Sequence, residues 1–340
     1  MSRTATRRSL LAAALCAAFA AAAMPAQAAD APITIMVGGI NKIIYLPAKL
    51  TEALGYFKDE GLAVELQSQP AGVDAENQLI AGAVQGVVGF YDHTITLQAQ
   101  GKCIESVVQL AKVPGEAEVV STSAAKSLTG PQDFAGKKLG VTSPGSSTDY
   151  LTQYLSTKNG IDTSDYTTVT AGAGSTFLAA LSNGGIDAGM TTDPTIATAV
   201  SKGLGKVLID MRTEEGTKAA LGGLYPAASM YMDCAYVEQN PETVQKLVNA
   251  FTHTMQWISE HDAADIAAKM PTDYNGGDPA LYEQSIEDSS PMFTTDGRMP
   301  EGGPETVLDV LGTFSDTVKA EKDDIDLSKT YTTEFVDKVQ

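Results

Sequence analysis

Apolar residues recur along this chain in two rhythms. Short runs of three to eight residues stand at 33–37, 63–66, 84–90 and 106–110, and again at 139–142, 166–170, 185–190, 207–209 and 230–237. Runs this short, bounded by Gly, Pro, Asp and Ser, predict β-strands. Between them the apolar positions space out to a helical period, at 46–54, 74–83, 95–100, 149–158, 177–182 and 193–202. Strands alternating with helices of this length predict parallel sheets built from βαβ units. From Pro241 onward the pattern is mostly helical, at 242–259, 263–269, 279–289 and 304–319. The chain therefore reads as α/β, with two open layers at about 30–112 and 126–212 and a helical C-terminal tail. The run at 230–237 lies past the second layer and returns the chain to the first. The expected boundaries are 29–123 plus 230–340 for lobe 1 with the tail, and 124–229 for lobe 2.

The N-terminus breaks this rhythm. Arg3, Arg7 and Arg8 precede an apolar, Ala-rich run at 10–24, followed by Pro25-Ala26-Gln27-Ala28. A basic start, an apolar centre of about fifteen residues and an A-x-A site are the parts of a secretory signal peptide. The run is shorter than the roughly twenty residues of a spanning helix. Residues 1–28 are expected to be removed and the rest exported, to a bacterial periplasm. Arg7-Arg8 fits either a twin-arginine signal or an ordinary basic n-region, and both stay open. Cys16 is preceded by Leu15, with Ala13 at the third position before it, which does not suit lipid attachment.

Size and charge narrow the field. With 340 residues the chain exceeds what one core usually holds, so two lobes are the default. Its formal net charge is −19, and the signal segment contributes only positive charge. An acidic surface argues against nucleic acid or anionic lipid as partner. After the signal only Arg212 and Arg298 remain, which excludes a site built from several bidentate Arg clamps. Cys103 and Cys234 also remain; in an oxidising compartment they either pair or lie as buried free thiols. The three His and two Cys show no metal-ligand spacing.

Four segments could carry binding chemistry, and each follows a strand. Thr142-Ser143-Pro144-Gly145-Ser146-Ser147-Thr148 opens a helix whose N–H groups favour an anion, or it is a plain cluster of N-cap residues. Gly38-Gly39-Ile40-Asn41-Lys42, with Tyr45 nearby, either lets backbone approach a ligand or makes a simple turn. Tyr91-Asp92-His93-Thr94 offers an aromatic face, a carboxylate and an imidazole, although a lone His is more often structural. Thr191-Thr192-Asp193-Pro194 is a ligand loop or a helix start with Pro at N1. Two such loops per lobe are what a cleft between facing lobes requires. No nucleophile elbow, zinc-protease motif, Walker loop or dinucleotide fingerprint is present. Gly172-Ala173-Gly174-Ser175 is too short to mean nucleotide binding.

Certain motifs resemble a known family. Leu54-Gly55-Tyr56-Phe57-Lys58-Asp59-Glu60-Gly61-Leu62 resembles the "GYF-K-E-G-L" signature of substrate-binding proteins of ABC importers, in the branch for nitrate, sulfonates, taurine, bicarbonate and thiamine-pyrimidine precursors. Phe134-Ala135-Gly136-Lys137-Lys138-Leu139-Gly140-Val141 is similar to its "DLKGKKVGV" segment, Gly184-Gly185-Ile186-Asp187-Ala188 to its "G-x-I/V-D-A" run, and Gln239-Asn240-Pro241-Glu242 to its "NP-E". The resemblance implies a type II periplasmic-binding fold: two lobes, two hinge crossings, and closure over a small ligand. It places ligand contacts on Gly39, Asn41, Tyr45, Tyr91, Asp92, Ser143, Ser146, Ser147, Thr148, Thr192 and Asp193; His93 joins these candidates from its place in the loop after the third strand. One departure is that Thr192-Asp193-Pro194 lacks the aromatic residue of the family's "W-E-P"-like loop. The Cys-rich motif of pyrimidine synthases in the same superfamily is missing too, which weakens an enzymatic reading.

With so few Arg, an anionic group would be held by N–H groups at 146–148, by hydroxyls, and by Lys42, Lys112 or Arg212. Tyr45, Tyr91 and Phe90 offer flat apolar surface for a ring. Asp92 and Asp193 favour a donor-bearing heterocycle or amine over a bare anion. The expectation is therefore a monomeric, non-enzymatic carrier without a cofactor. It would pass a small carboxylate, sulfonate or pyrimidine-like heterocycle to an inner-membrane permease. The competing class is an exported enzyme or a ligand-sensing subunit on the same fold.

Overall fold

The computed structural model describes residues 32–339. The signal-peptide and export-route expectations lie outside these residues. The ten strands are β1 Ile33–Val37, β2 Val64–Ser68, β3 Gly86–Phe90, β4 Ile104–Gln109, β5 Glu116–Ser121, β6 Lys138–Val141, β7 Thr167–Thr170, β8 Ala188–Thr192, β9 Gly205–Asp210 and β10 Ala228–Asp233. They form two five-stranded sheets, ordered β2-β1-β3-β10-β4 and β7-β6-β8-β5-β9. Each sheet is mixed: β1 runs parallel to β2 and β3, and β6 runs parallel to β7 and β8. The fourth place in each order goes to an antiparallel strand that has just crossed from the other lobe, β10 in the first sheet and β5 in the second. The result is the two-lobed α/β periplasmic-binding architecture with a helical C-terminal part.

The first crossing corrects the expected boundary at 123. Residues 116–121 form β5 in the second sheet, so the chain changes lobe at about 110–115. Glu116-Ala117-Glu118-Val119-Val120-Ser121 gives no apolar run because two carboxylates interrupt it, yet all six residues are buried. The second crossing, 222–227, runs beside the first. Ala227 N–H donates to Ala111 O and Ala111 N–H to Ala228 O, both at 2.9 Å, and the Gln109 amide donates to Ala111 O at 2.7 Å and Ala228 O at 3.0 Å.

The run at 230–237 is not one strand. β10 ends at Asp233, whose carboxylate accepts from Ala235 and Tyr236 N–H and caps the helix Cys234–Gln239. Cys234 at that helix start is joined by a disulfide to Cys103, just ahead of β4, with Cα atoms 5.5 Å apart. The pairing alternative therefore holds over free thiols. The 20-residue helix Pro241–Glu260 buries Val244, Leu247, Val248, Phe251, Met255 and Ile258, a 3–4 spacing that packs one face on lobe 1. Phe251 meets Phe57 edge to face at 5.5 Å, which places the Tyr56-Phe57 motif in that core. Among the described residues no helix is long and apolar enough to cross a membrane.

Candidate functional site

A cleft of about 480 Å³ lies between the two sheets' loops. Lobe 1 lines it with residues 39–42, after β1, and 68–70, after β2; lobe 2 lines it with 172–176, after β7, and with Pro194 and Thr195, after β8. Every lining segment leaves the carboxyl end of a strand, where open α/β sheets place ligands. Gly39 and Asn41 thus stand where expected. Gly39 has φ +112°, and a Cβ there would drive into the Lys42 side chain at 2.6 Å, so the turn depends on glycine. A Cβ at Gly38 would stand 3.3 Å from the Tyr45 hydroxyl and 3.1 Å from the Gly72 Cα, so loop 38–39 packs tightly on its neighbours. The Lys42 ammonium donates to Gly38 O at 2.8 Å and Pro70 O at 3.3 Å. Burial lowers its pKa to about 8, against the pull of Glu116 and Asp74.

Several polar side chains of the loops beside the cleft are buried. Asp92, fully buried, accepts from Ser147 Oγ and from the Tyr225 hydroxyl, each at 2.9 Å. These bonds join lobe 1, lobe 2 and the second crossing at one carboxylate. Burial raises the Asp92 pKa, opposed by His93 and by the two hydroxyl donors. Glu116 stands opposite Thr192 in the β5–β8 ladder. It is 2% exposed, its Oε2 has no hydrogen-bond partner, and burial with Asp92 nearby raises its pKa well above the carboxylate range. The hydroxyls of Ser146 and Thr192 are likewise buried without partners. Tyr45 is buried, edge-on to Phe90 at 6.3 Å, and its pKa is raised by burial and by the charges of Glu116 and Asp92.

The structure gives the other expected residues structural work. The Tyr91 ring packs on Tyr331 and its hydroxyl bonds Thr330, so it faces the C-terminal segment, which covers it. Thr148 Oγ1 accepts from Thr142 N–H at 2.9 Å and Ser143 O from Ser146 N–H at 3.1 Å, which closes loop 142–148 on itself. Asp193 is saturated: its carboxylate accepts from Arg212 Nη1 at 2.9 Å, Ser289 Oγ at 3.0 Å and Ala197 N–H at 3.0 Å. It therefore pins the lobe-2 loop to the helical tail, and its backbone O accepts from Ile43 N–H across the cleft at 2.9 Å. Arg212 also binds Asp210 at 2.7 Å, and Lys112 pairs with Glu214 at 2.8 Å, so neither cation is free for an anion. His93 lies with Nδ1 2.6 Å from the Glu76 carboxylate and its ring against Tyr150 and Tyr231. Burial alone would lower its pKa, but Glu76 and Asp92 raise it to about 9.

Sequence reasoning missed three contributors: loop 68–70, loop 172–176 and Glu116. The first two obey the same rule as the others, since each follows a strand; Ser-Gln-Pro carried no charge to draw notice, and Gly-Ala-Gly-Ser was weighed only as a nucleotide loop and set aside. Among the described residues no cluster of His, Cys, Asp and Glu could hold a metal ion.

A model of NMT1/THI5-like proteins matches residues 45–264, most of both lobes. The chain belongs to the NMT1/THI5-like family. A solved protein of Bordetella bronchiseptica RB50 is 35% identical, covering 90% of this chain and 96% of its own, with a TM-score of 0.85. The alkanesulfonate-binding protein SsuA of Xanthomonas axonopodis pv. citri, solved with MOPS, shares the fold at TM-score 0.68 and 17% identity, over 84% of this chain and 93% of that one. The periplasmic nitrate-binding protein NrtA of Synechocystis PCC 6803 does so at 0.69 and 13%, over 89% and 86%. Among curated relatives, a 4-amino-5-hydroxymethyl-2-methylpyrimidine phosphate synthase of Aspergillus parasiticus is 27% identical over 266 residues, 74% of this chain and 68% of its own. The fold is thus shared with the alkanesulfonate- and nitrate-binding proteins, the branch that the sequence motifs resemble.

Proposed function

We propose that this protein is the extracytoplasmic solute-binding component of an ABC importer. It captures one small organic solute between its lobes and delivers it to a membrane permease. The observation that carries this reading is the cleft itself: four strand-end loops, two from each lobe, surround a volume suited to a small molecule. Two adjacent crossings provide the hinge about which such lobes close. The site residues with this role are Gly39, Asn41, Tyr45, Asp92, Ser146, Ser147 and Thr192, joined by Lys42 and loops 68–70 and 172–176.

The pyrimidine-synthase relative supports a second reading, an exported enzyme on the same fold. Against it, Asp92 and Asp193 are tied by hydrogen bonds to side chains of other segments, Ser147 and Tyr225 for the first and Arg212 and Ser289 for the second. A thermal-shift screen of carboxylates, sulfonates, nitrate and pyrimidines separates the two, with product analysis after incubation. A carrier gains stability by linkage, about 2.7 kcal/mol at a hundred times Kd, and returns its ligand unchanged. Turnover of the ligand overturns the carrier reading, and so does the absence of any stabilising solute.

A further inference from the structure

The lobe-1 wall of the cleft consists of two loops, 39–42 after β1 and 68–70 after β2, and one charged side chain ties them. The Lys42 ammonium donates to Gly38 O at 2.8 Å at the start of its own loop and to Pro70 O at 3.3 Å on the other. Two of its three N–H donors are thereby spent on backbone. Its stem lies against Gly39, where a Cβ would meet the Lys42 Cε at 2.6 Å, and its ammonium stands 5.9 Å from the centre of the Tyr45 ring. Two neutral bonds join the same segments: Ile40 N–H to Ser68 Oγ at 3.1 Å and Gln69 N–H to Val37 O at 3.0 Å. The next residue, Ile43, donates its N–H to Asp193 O of lobe 2 at 2.9 Å, so the turn that Lys42 fixes also carries a bond across the cleft.

Resting on the solute-carrier reading, we propose that Lys42 is a positioning residue: it clips loop 68–70 to loop 38–42 and so assembles the lobe-1 wall of the cleft, instead of serving as the counter-ion of a solute. Charge-assisted bonds are roughly twice as strong as neutral ones, so the ammonium is the strong member of the set that joins the two loops. The clip also carries a signature in pH. Burial lowers the Lys42 pKa to about 8, against the pull of Glu116 on β5 and Asp74 on the helix Gly72–Ile80. The clip is at full strength below pH 8 and weakens above it, where the amine keeps N–H donors but loses its charge. Tyr45 keeps its proton throughout, because burial raises its pKa well above the ordinary value. Glu116 is the other group facing Lys42 whose pKa is moved toward this range, and it needs its own control.

The first test needs no solute. NMR follows the amides of the protein and the Lys42 Cε–H signal between about pH 6.5 and 10. Gly39, Gln69 and Ala71 are expected to move with one midpoint near 8, that of the Lys42 amine, while Gly174 and Ser175 on the facing wall do not follow it. The shared midpoint should vanish in Lys42→Met, which keeps the stem, and persist in Glu116→Gln; melting temperatures report whether both fold, and the unmodified protein decides even if neither does. A Lys42 midpoint at its ordinary value, or amides at 69–71 that ignore it, overturns the assignment. Calorimetry then separates a clip from a counter-ion. Loss of a counter-ion costs affinity for nitrate and methanesulfonate and spares the uncharged 4-aminopyrimidine. Loss of the clip in Lys42→Met is expected to weaken each of these three probes that binds, by about tenfold. A loss confined to the anions, with 4-aminopyrimidine bound as before, overturns the proposal. Failure of all three to bind the unmodified protein counts against the carrier reading alone, and the titration still decides the role of Lys42.

Discussion

Arg212→Ala tests the account of how the lobes are held. Asp193 is 1% exposed and depends on Arg212 for its only cation, with Ser289 Oγ and Ala197 N–H as the remaining donors. Breaking a buried pair by removing one partner costs about 3–5 kcal/mol. Arg212 keeps 14% of its side chain exposed and two donors remain to Asp193, so the lower end, about 3 kcal/mol, is expected. For a protein of about 300 residues the entropy of unfolding is roughly 0.6 kcal/mol per kelvin, so the midpoint falls by about 5 °C. Differential scanning calorimetry reads this directly. Asp193→Asn added to Arg212→Ala removes the uncompensated charge and is expected to recover about half the loss. A fall below about 1 °C, or a double variant as unstable as the two single losses added, refutes the view that Asp193 and Arg212 form a coupled, buried tie.

Three further expectations follow from the same geometry. His93 has a folded pKa of about 9 against 6.5 unfolded, so its contribution is full below pH 6.5 and drains as pH rises through 9; the stability gap to His93→Gln, roughly 3 kcal/mol at pH 6, should close by pH 9.5 in urea melts, and a constant gap contradicts the ion pair with Glu76. Reducing Cys103–Cys234, which closes a loop of 131 residues, is expected to cost about 2–5 kcal/mol, seen as a lower urea midpoint with thiol reagent and no change in Cys103→Ser/Cys234→Ser. Ser147→Pro places proline at the first helical position, after an extended Ser146, so the fold should survive; loss of the Ser147–Asp92 bond should weaken solute binding about tenfold, and undiminished affinity removes Ser147 from the site.

What the sequence revealed was whatever periodicity or turn chemistry encodes. Alternating apolar runs and helical spacings announced nine of the strand positions, because short apolar and β-branched runs bounded by turn residues encode strands locally. β5 escaped because Glu116 and Glu118 break its run. Their burial reflects the place of β5 between β8 and β9 in the second sheet, which no local pattern records. The run at 230–237 looked continuous because Asp233 reads as one solvent-facing position within a strand, while in the fold it is a helix cap. The four strand-end loops were legible as a set. The role of each side chain was not, since it depends on partners far along the chain: Tyr91 on Thr330, Asp193 on Ser289, Asp92 on Ser147 and Tyr225. Loops 68–70 and 172–176 show that position at a strand end carried more information than charge or aromaticity.

The central claim is that a solute is held by both lobes at once. Hydrogen–deuterium exchange, with and without a saturating concentration of a solute that raises the melting temperature, tests it most directly. The account predicts slowed exchange at 38–42 and 68–72 in lobe 1 together with 143–148, 172–176 and 192–197 in lobe 2. Protection confined to one lobe, or spread over a surface away from these loops, contradicts it.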